Sequence, residues 1–233
     1  MPQYSDDLWL GAATGPQSQG WAGPGTVFTG VGPLGRVYIY DVVPATASAT
    51  SVVNAQAVAA AGNVTLVASP VTLSAARALK VVSSASGDTS QGVFVTGTDY
   101  WGQTQTEYFL LNGVTAVNGK KAFKTVTQVY VGAAMAGTLS VGTLDVFGLP
   151  YAVTDAGYLL RTGWAGAVAD NAGTFVAADA TAASNTTGDV RGTFAPTGSA
   201  ADGSRRLVIA IGLTAIQAGP NATQTGAIGV TPA

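Results

Sequence analysis

The sequence contains no histidine and no cysteine in its 233 residues, and Glu107 is its only glutamate. Without imidazole there is no histidine base, proton shuttle or metal ligand, and without thiols there is no disulfide, zinc–thiolate site or iron–sulfur cluster. A pair of carboxylates for acid–base catalysis would have to come from aspartates, and none of these lies in a recognisable catalytic context. Nucleophile-elbow, phosphate-loop and zinc-protease motifs are also missing. The sequence therefore predicts a protein that is not an enzyme and that holds no cofactor and no metal.

Charge is scarce as well. Only 9% of the residues are charged, against roughly 25% in an ordinary globular domain, and the formal net charge is −2. There is no basic footprint for nucleic acid or for an anionic membrane surface. The only basic clusters are Lys120, Lys121 and Lys124 and the pair Arg205 and Arg206; we interpret them as solvated strand ends, with contact to acidic groups of a partner as the alternative. The composition favours a protein partner.

No segment has the length and composition of a membrane span or a secretion signal. The most apolar windows, around residues 52–69 and 207–219, are interrupted by polar residues or are only 13 residues long, whereas a span needs about 20 apolar residues. Asp6 and Asp7 stand where a signal peptide would be cationic or apolar. We expect synthesis and assembly in the cytoplasm of the producing cell.

The composition predicts an all-β fold. Glutamate, lysine and methionine are rare, whereas alanine, threonine, valine and serine dominate, and 31 glycines and 10 prolines supply many turns. This profile is typical of a β-sandwich or a jelly-roll-like body. Alternating or apolar runs predict strands at residues 36–43, 63–68, 78–84, 92–97, 104–111, 120–131, 138–147, 156–162, 173–178, 189–194 and 205–213.

Some segments are harder to assign. Residues 45–61 fit either a strand or a short helix, and residues 74–78 fit a helical turn. Gly142 indicates a bulge or a bend within its strand. Residues 98–103 predict the turn of a hairpin, because Asp99 and Gly102 supply turn chemistry.

Residues 1–34 predict an extended N-terminal arm. They contain many glycines and prolines, no lysine or arginine, and no sustained period. Five apolar side chains in the arm are too hydrophobic to remain in water and are expected to dock on a surface, namely Leu8, Trp9, Leu10, Trp21 and Phe28. The surface could belong to a neighbouring subunit or to the same domain. A body follows at residues 35–216, with a possible division into two lobes near 148–156, and a C-terminal tail covers 217–233.

Three further patterns are weak. Residues 30–35 match GxGxxG, but a proline-rich arm precedes them and a strand follows, which favours a hinge over a dinucleotide site. Asp179, Asp189 and Asp202 lack the spacing of a calcium loop. The densest aromatic patch comprises residues 99–101 (DYW) and 107–109 (EYF); core packing, partner contact and stacking on carbohydrate are its three interpretations.

Two regions resemble segments of the structural proteins of tailed-bacteriophage particles. The first comprises residues 97–107 (GTDYWGQTQTE) and 119–126 (GKKAFKTV), and the second residues 188–196 (GDVRGTFAP) with 202–204 (DGS) behind them. Within that group, the chain is most similar to capsid decoration or cement proteins of short-tailed phages. The resemblance implies a β-sandwich subunit that binds the outside of a head shell as an oligomer. It implies no catalytic residues.

The residues and the resemblance lead to one hypothesis. The chain would be a cement protein on the capsid exterior that stabilises the shell by bridging neighbouring major capsid proteins. It would be a homodimer or homotrimer, with the five arm residues and Tyr100 and Trp101 as partner-binding groups. The alternatives are a tail or head fibre component or host-binding module, and, third, a hydrolase built on pairs of aspartates.

Overall fold

The computed structural model describes residues 7–9, 34–166, 173–214 and 227–228. Among these residues the chain forms fifteen strands and a single 3-10 turn at Ala156–Tyr158. The strands are β1 Asp7–Trp9, β2 Leu34–Val42, β3 Val53–Ala57, β4 Gly62–Asn63, β5 Val71–Ser83, β6 Gly92–Thr98, β7 Thr104–Leu110, β8 Val117–Val131, β9 Thr138–Gly148, β10 Ala152–Val153, β11 Leu159–Arg161, β12 Gly173–Val176, β13 Thr193–Pro196, β14 Leu207–Thr214 and β15 Ala227–Ile228. The expected all-β class is confirmed.

The strands pair antiparallel in three sheets. The largest has nine strands in the order β12-β13-β9-β5-β8-β6-β7, with β3 also on β9 and β4 also on β8. A second sheet has the order β1-β2-β14-β11, and β10 pairs with β15. Sheets of this kind are consistent with a β-sandwich-like body.

The hairpin β6–β7 shows how the sequence pattern sets the faces. Val93 and Val95 are fully buried on β6, and Gln105, Glu107 and Phe109 are buried on β7, while the residues between them are more exposed. Because side chains alternate across a strand, a shift of one residue would exchange these two faces. The full register from Gly92↔Leu110 to Thr98↔Thr104 is unbroken.

Two hydrophobic cores lie in the body. The first contains residues of β3, β5, β6, β7, β8 and β9, which all belong to the nine-stranded sheet, and of the loops beside them. The second lies between the four-stranded sheet and the ends of β9 and β13, and includes Tyr40, Phe147, Phe194 and Ile209. Burial of each large apolar side chain contributes about 1.5–3 kcal/mol.

Arg77 connects the two cores. It lies on β5, is 2% exposed, and donates from Nε to the carbonyl of Leu144 and from Nη1 to that of Ala45, both at 2.7 Å. Its Nη2 is paired with Asp145, and its guanidinium lies 5.2 Å from the centre of the Phe147 ring. One buried cation thus holds β5, β9 and the segment after β2 together.

Asp88 fixes the loops at one end of the first core. The residue is 1% exposed, and its carboxylate accepts hydrogen bonds from Ser83 Oγ at 2.5 Å and from the backbone N–H groups of Ala136 and Gly137 at 2.9 and 3.0 Å. These hydrogen bonds, led by that of Ser83, lower the pKa of Asp88. Two loops far apart in the chain are therefore joined through one carboxylate.

Three local expectations are corrected. Residues 74–78 form no helical turn but lie inside β5, where Arg77 pairs with both β8 and β9 and Ala78 pairs with β8. Only Gly62–Asn63 forms a strand near the one expected at 63–68. Gly142 is not a bulge, because its register with β5 is regular from Val141 to Thr143. A Cβ there would lie 2.1 Å from the carbonyl oxygen of Ser48, so the glycine allows close backbone approach.

The ambiguous segment 45–61 contains the strand β3 and no helix. The expected turn at 98–103 is confirmed. The N-terminal arm was expected at residues 1–34, of which Asp7–Trp9 forms β1 on β2. Most of the other arm residues and most of the tail expected at 217–233 lie outside the described part of the chain.

Candidate functional site

The turn that carries Tyr100 and Trp101 is rigidly built. Asp99 is 3% exposed, and its Oδ1 accepts hydrogen bonds from the backbone N–H groups of Trp101 and Gln103, both at 2.8 Å. Gly102 closes the turn with a φ of 82°, a conformation that glycine adopts without steric cost. The sequence TDYWGQ therefore presents its aromatic pair from a fixed loop.

The two aromatic residues have different surroundings. Tyr100 packs edge-on against Tyr40, with ring centres 5.6 Å apart, and its hydroxyl lies 3.3 Å from that of Tyr38. Trp101 donates from Nε1 to the carbonyl of Pro150 at 2.6 Å but remains 51% exposed. Tyr100 thus joins the hairpin to the second core, while Trp101 is anchored and still offers much of its surface to solvent. A role of either residue in partner binding stays a prediction.

Two of the five predicted arm residues lie in the described part of the chain. The backbones of Leu8 and Trp9 belong to β1, with Leu8 opposite Val37 and Trp9 opposite Arg36. The other three, Leu10, Trp21 and Phe28, lie outside the described residues. The structure therefore places residues 7–9 of the arm in the four-stranded sheet of the same chain, as its edge strand.

A row of aromatic side chains lies on the outer face of the nine-stranded sheet; only its Tyr108 belonged to the predicted aromatic patch. Phe94, Tyr108 and Tyr130 lie side by side on β6, β7 and β8, with ring centres of Phe94 5.0 Å from Tyr108 and 6.3 Å from Tyr130. Leu110, 50% exposed, follows on the same face of β7. We call these four residues the outer aromatic row. The signal was present in the alternation of β7, but the row exists only once the register of three strands is known.

The outer aromatic row has polar, uncharged surroundings. The next cross-strand level contains Thr96 and Thr106, whose hydroxyls lie 3.1 Å apart, and Gln128. Beyond it, the hydroxyls of Thr98 and Thr125 form a hydrogen bond of 2.5 Å. No outward position of β6 or β7 carries a charge, so this face can be covered without desolvating an ion.

Beneath the same hairpin, charged groups are buried. Glu107, Lys121 and Asp189 are 3%, 1% and 9% exposed. We call them the buried triad. Among the described residues, the half of β8 that contains Lys121 has β5 on one side and no strand on the other, and polar side chains fill that edge. Glu107 Oε1 accepts from the N–H of Lys120 at 2.5 Å, Asp189 Oδ2 accepts from the N–H of Ala122 at 2.9 Å, and Gln105 Nε2 donates to the carbonyl of Ala122 at 2.6 Å.

Burial shifts the titration of all three members of the triad. Loss of solvent raises the pKa of Glu107 to about 7 and also raises the pKa of Asp189. It lowers the pKa of Lys121, although the negative charges of Glu107 and Asp189 oppose this shift. Burial disfavours the charged form of every ionisable group, and here it acts on an amine and two carboxyl groups together.

A buried ion pair adjoins the triad. Arg191 Nη1 is paired with Asp99 Oδ2, with both side chains less than 5% exposed, and Arg191 Nη2 donates to Gln103 Oε1 at 2.5 Å. This pair holds the turn of the β6–β7 hairpin against the segment that precedes β13. The sequence offered no signal for it, because Asp99 and Arg191 are far apart in the chain.

The basic clusters behave differently from one another. Lys121 is buried, so the interpretation of this residue as a solvated strand end is wrong. Lys124 donates from Nζ to the carbonyls of Leu73 and Ser74 at 2.7 and 3.0 Å. Lys120 is exposed, and Arg205 and Arg206 are paired with Asp202 and Asp41 at the surface. The described residues present no continuous basic face.

The three aspartates considered for calcium bind protein donors and lie in separate contexts. Asp179 accepts from the N–H groups of Thr181 and Gly188, and Asp202 accepts from those of Ser204 and Arg205. In the part of the chain that the structure describes, no group of three or more acidic, histidine or cysteine side chains is arranged to hold a metal ion.

Comparisons with known proteins identify no relative: no protein-family model, no curated protein and no solved structure matches the chain. Within the described ranges, no helix has the length and apolar character needed to cross a lipid bilayer.

Proposed function

We propose that the chain is a cement protein of a tailed-bacteriophage particle, which binds the exterior of the head shell as a homodimer or homotrimer and bridges neighbouring major capsid proteins. The resemblance of residues 97–107, 119–126 and 188–196 to phage structural proteins suggests the particle. The observation that carries the proposal is the outer aromatic row, an uncharged aromatic surface on a rigid sheet.

The physical argument concerns the cost of covering this surface. Fully covered aromatic side chains bury about 150–250 Å² each, and a specific interface needs about 800 Å² from each partner. The outer aromatic row would supply the centre of such a patch, and the threonines of the neighbouring cross-strand levels would form its rim. Threonine loses little side-chain entropy on burial compared with lysine or arginine. Trp101 and the arm would extend the contact to a second shell subunit.

Shell binding can be tested directly. Empty phage shells that lack the protein are mixed with purified chain, and the bound copies are counted after sedimentation by quantitative mass spectrometry. We expect hundreds of bound copies per shell. We also expect shells that carry the protein to resist thermal and osmotic rupture better than shells that lack it. Failure of the protein to bind shells would refute the proposal.

Two variants separate the surfaces. Phe94→Ser with Tyr130→Ser removes two rings of the outer aromatic row and should weaken shell binding at least tenfold. Val114→Ser is the control for loss of an exposed apolar side chain, because Val114 is 60% exposed and lies in the loop between β7 and β8, outside the row. Deletion of residues 2–33, which leaves β2 intact, should abolish binding if the arm bridges subunits, and unchanged binding would refute the arm mechanism.

The alternative is a tail or head fibre component or a host-binding module. The same aromatic row, bordered by hydroxyl and amide groups, has the chemistry of a platform on which sugar rings stack. Binding of the isolated protein to host polysaccharide, lost in the Phe94→Ser, Tyr130→Ser variant, together with a few to a few dozen copies per particle, would favour this function.

A further inference from the structure

The strand β7 forms one edge of the nine-stranded sheet, because it is the last strand in the order and, among the described residues, pairs only with β6. An edge strand presents a row of backbone N–H and C=O groups on which another chain can add a strand. Monomeric proteins block such a row with lysine, proline or a bulge. β7 contains no proline and no bulge, and the side chains on its outer face are uncharged. Its edge is therefore suited to pairing with a further strand.

Hydrogen bonds at the two ends of the hairpin show which backbone groups of β7 point away from β6. The N–H of Asp99 donates to the carbonyl of Gln103 at 2.9 Å, and the N–H of Leu111 donates to that of Gln91 at 3.0 Å. In an antiparallel pair, hydrogen-bonded and non-hydrogen-bonded residue pairs alternate. Since the register is unbroken between these ends, the odd-numbered residues of β7 bond to β6, and the backbone groups of the even-numbered residues point outward.

Along this outward row, Tyr108 is already occupied. Its N–H donates to the carbonyl of Asn185 at 2.8 Å, which agrees with the direction of the row and separates Leu110 from the rest of it. Towards the turn, the outward N–H and C=O groups of Thr104 and Thr106 have no hydrogen-bond partner in the described part of the chain. Each molecule thus offers a short open edge, bounded by the hairpin turn on one side and by Asn185 on the other.

We propose that two copies of the chain form a homodimer through this open edge, which pairs antiparallel with the same edge of the second copy. Thr104 of each molecule lies opposite Thr106 of the other, and the two-fold axis passes between the strands at the level of Gln105. The two nine-stranded sheets thereby join into one. This pairing rests on the proposed function, of whose homodimer it specifies the interface.

The open edge of both molecules is fully used only in this register. The two residues of a hydrogen-bonded pair exchange both N–H···O=C bonds, so pairing Thr104 with Thr106 satisfies all the outward backbone groups of these residues. Pairing Thr106 with Thr106 would bring Thr104 opposite Tyr108, whose N–H is held by Asn185. Pairing Thr104 with Thr104 would bring Thr106 opposite Gly102, which lies in the turn. The contact of Asn185 with β7 therefore determines the register.

The chemistry of the edge favours a second copy as the partner. Threonines opposite one another on antiparallel strands form a favourable pair, and this register makes the pair of Thr104 with Thr106 twice. No ion is desolvated, because the side chains on the outer face of β7 are uncharged. Paired residues of neighbouring strands share a face, so the outer aromatic rows of both copies lie on the same side of the joined sheet. The dimer thus presents one continuous surface to a shell.

The oligomeric state in solution is the first test. Thr106→Pro removes the outward N–H and places the proline ring in the open edge, but it costs no hydrogen bond to β6, and proline is tolerated at such positions of edge strands. Thr106→Val is the matched control, since it loses the same hydroxyl and keeps the N–H. Wild type and Thr106→Val should be dimers by size-exclusion chromatography with light scattering, and the dissociation constant of Thr106→Pro should rise at least about tenfold. A monomeric or trimeric wild type, or a folded Thr106→Pro protein that dimerises like wild type, would overturn the proposal.

Introduced cysteines test the register, because the sequence contains no cysteine of its own. The Cα atoms of a hydrogen-bonded antiparallel pair lie about 5.5 Å apart, a distance that a disulfide spans. Under mild oxidation, a mixture of Thr104→Cys and Thr106→Cys should therefore give several times more covalent dimer on non-reducing gels than either variant alone. An equal yield from Thr106→Cys alone would contradict the register, and no covalent dimer in any sample would contradict the pairing. Both substitutions nearly conserve side-chain size, so this test stands even if Thr106→Pro does not fold.

Shell binding separates the dimer from the proposed function. A dimer that passes both tests but binds no shell supports this interface and refutes the function as a cement protein. A monomeric wild type that binds shells, with binding lost in Thr106→Pro and kept in Thr106→Val, would assign the open edge to a strand of the capsid subunit and overturn the dimer.

Discussion

Replacement of Asp99 by asparagine should destabilise the protein strongly although the shape of the side chain is nearly unchanged. Asparagine keeps an oxygen that can accept the N–H groups of Trp101 and Gln103, but it removes the negative charge paired with Arg191, and both side chains of that pair are less than 5% exposed. Loss of one partner of a buried ion pair typically costs about 3–5 kcal/mol. We expect about 3 kcal/mol, at the lower limit, because Asp189 also interacts with Arg191.

Urea unfolding of a double-variant cycle measures this effect. Asp99→Asn, Arg191→Met and the combined variant are compared with wild type by circular dichroism. The combined variant buries no unpaired cation, so its loss should be smaller than the sum of the two single losses by about 1–3 kcal/mol. The total stability of a domain is about 5–15 kcal/mol, so the effect is large enough to measure.

The exposed pair between Arg206 and Asp41 serves as control, with side chains 58% and 34% exposed. Arg206→Met should leave the unfolding midpoint within error, because water screens such pairs. A loss below about 1 kcal/mol for Asp99→Asn, with additive effects in the cycle, would refute the claim that the buried pair holds the hairpin turn in place.

Two other substitutions test the first core and its loops. Asp88→Asn should cost about 1–3 kcal/mol of unfolding free energy at neutral pH, because an amide N–H would face backbone donors. The pKa of Asp88 is lowered in the fold, so the stability that this carboxylate contributes is present above pH 3.8 and is lost as the pH falls through the lower folded-state pKa. The unfolding free energy of the variant, measured in urea, should therefore depend less on pH in the acid range than that of the wild type. Gly97→Ala should cost about 1–3 kcal/mol, because its Cβ would lie 2.0 Å from the backbone carbonyl oxygen of Thr125, whereas Gly87→Ala, with no atom within 4 Å, should change the unfolding midpoint little. Equal midpoints for the two alanine variants would contradict the tight packing of β6 on β8.

The sequence was most informative where a local pattern determines the structure. The hairpin β6–β7 was predicted because alternating residues flank a turn with Asp99 and Gly102. Residues 74–78 were wrongly assigned because three alanines favour a helix locally. In the fold Ala75, Ala76 and Ala78 are buried in β5, a strand that pairs with both β8 and β9, so pairing over long distances overrides helix propensity.

The candidate site depended on information that a single sequence does not contain. Tyr100 and Trp101 could be identified by their density, but the outer aromatic row requires the register of β7, β6 and β8. Lys120 and Lys121 are adjacent in the chain and look equivalent, yet one is exposed and the other 1% exposed. Which of two neighbouring lysines is buried depends on what packs against each face of β8.

The polar side chains along one half of β8 also affect whether another molecule can add a strand to this edge of the sheet. An open strand edge is a template on which another chain can add a strand and start aggregation. Along residues 120–122, Glu107, Asp189 and Gln105 already occupy the backbone groups that an incoming strand would need. This stretch therefore gives a second molecule no place to extend the sheet, because three side chains occupy the backbone groups that an additional strand would otherwise cover.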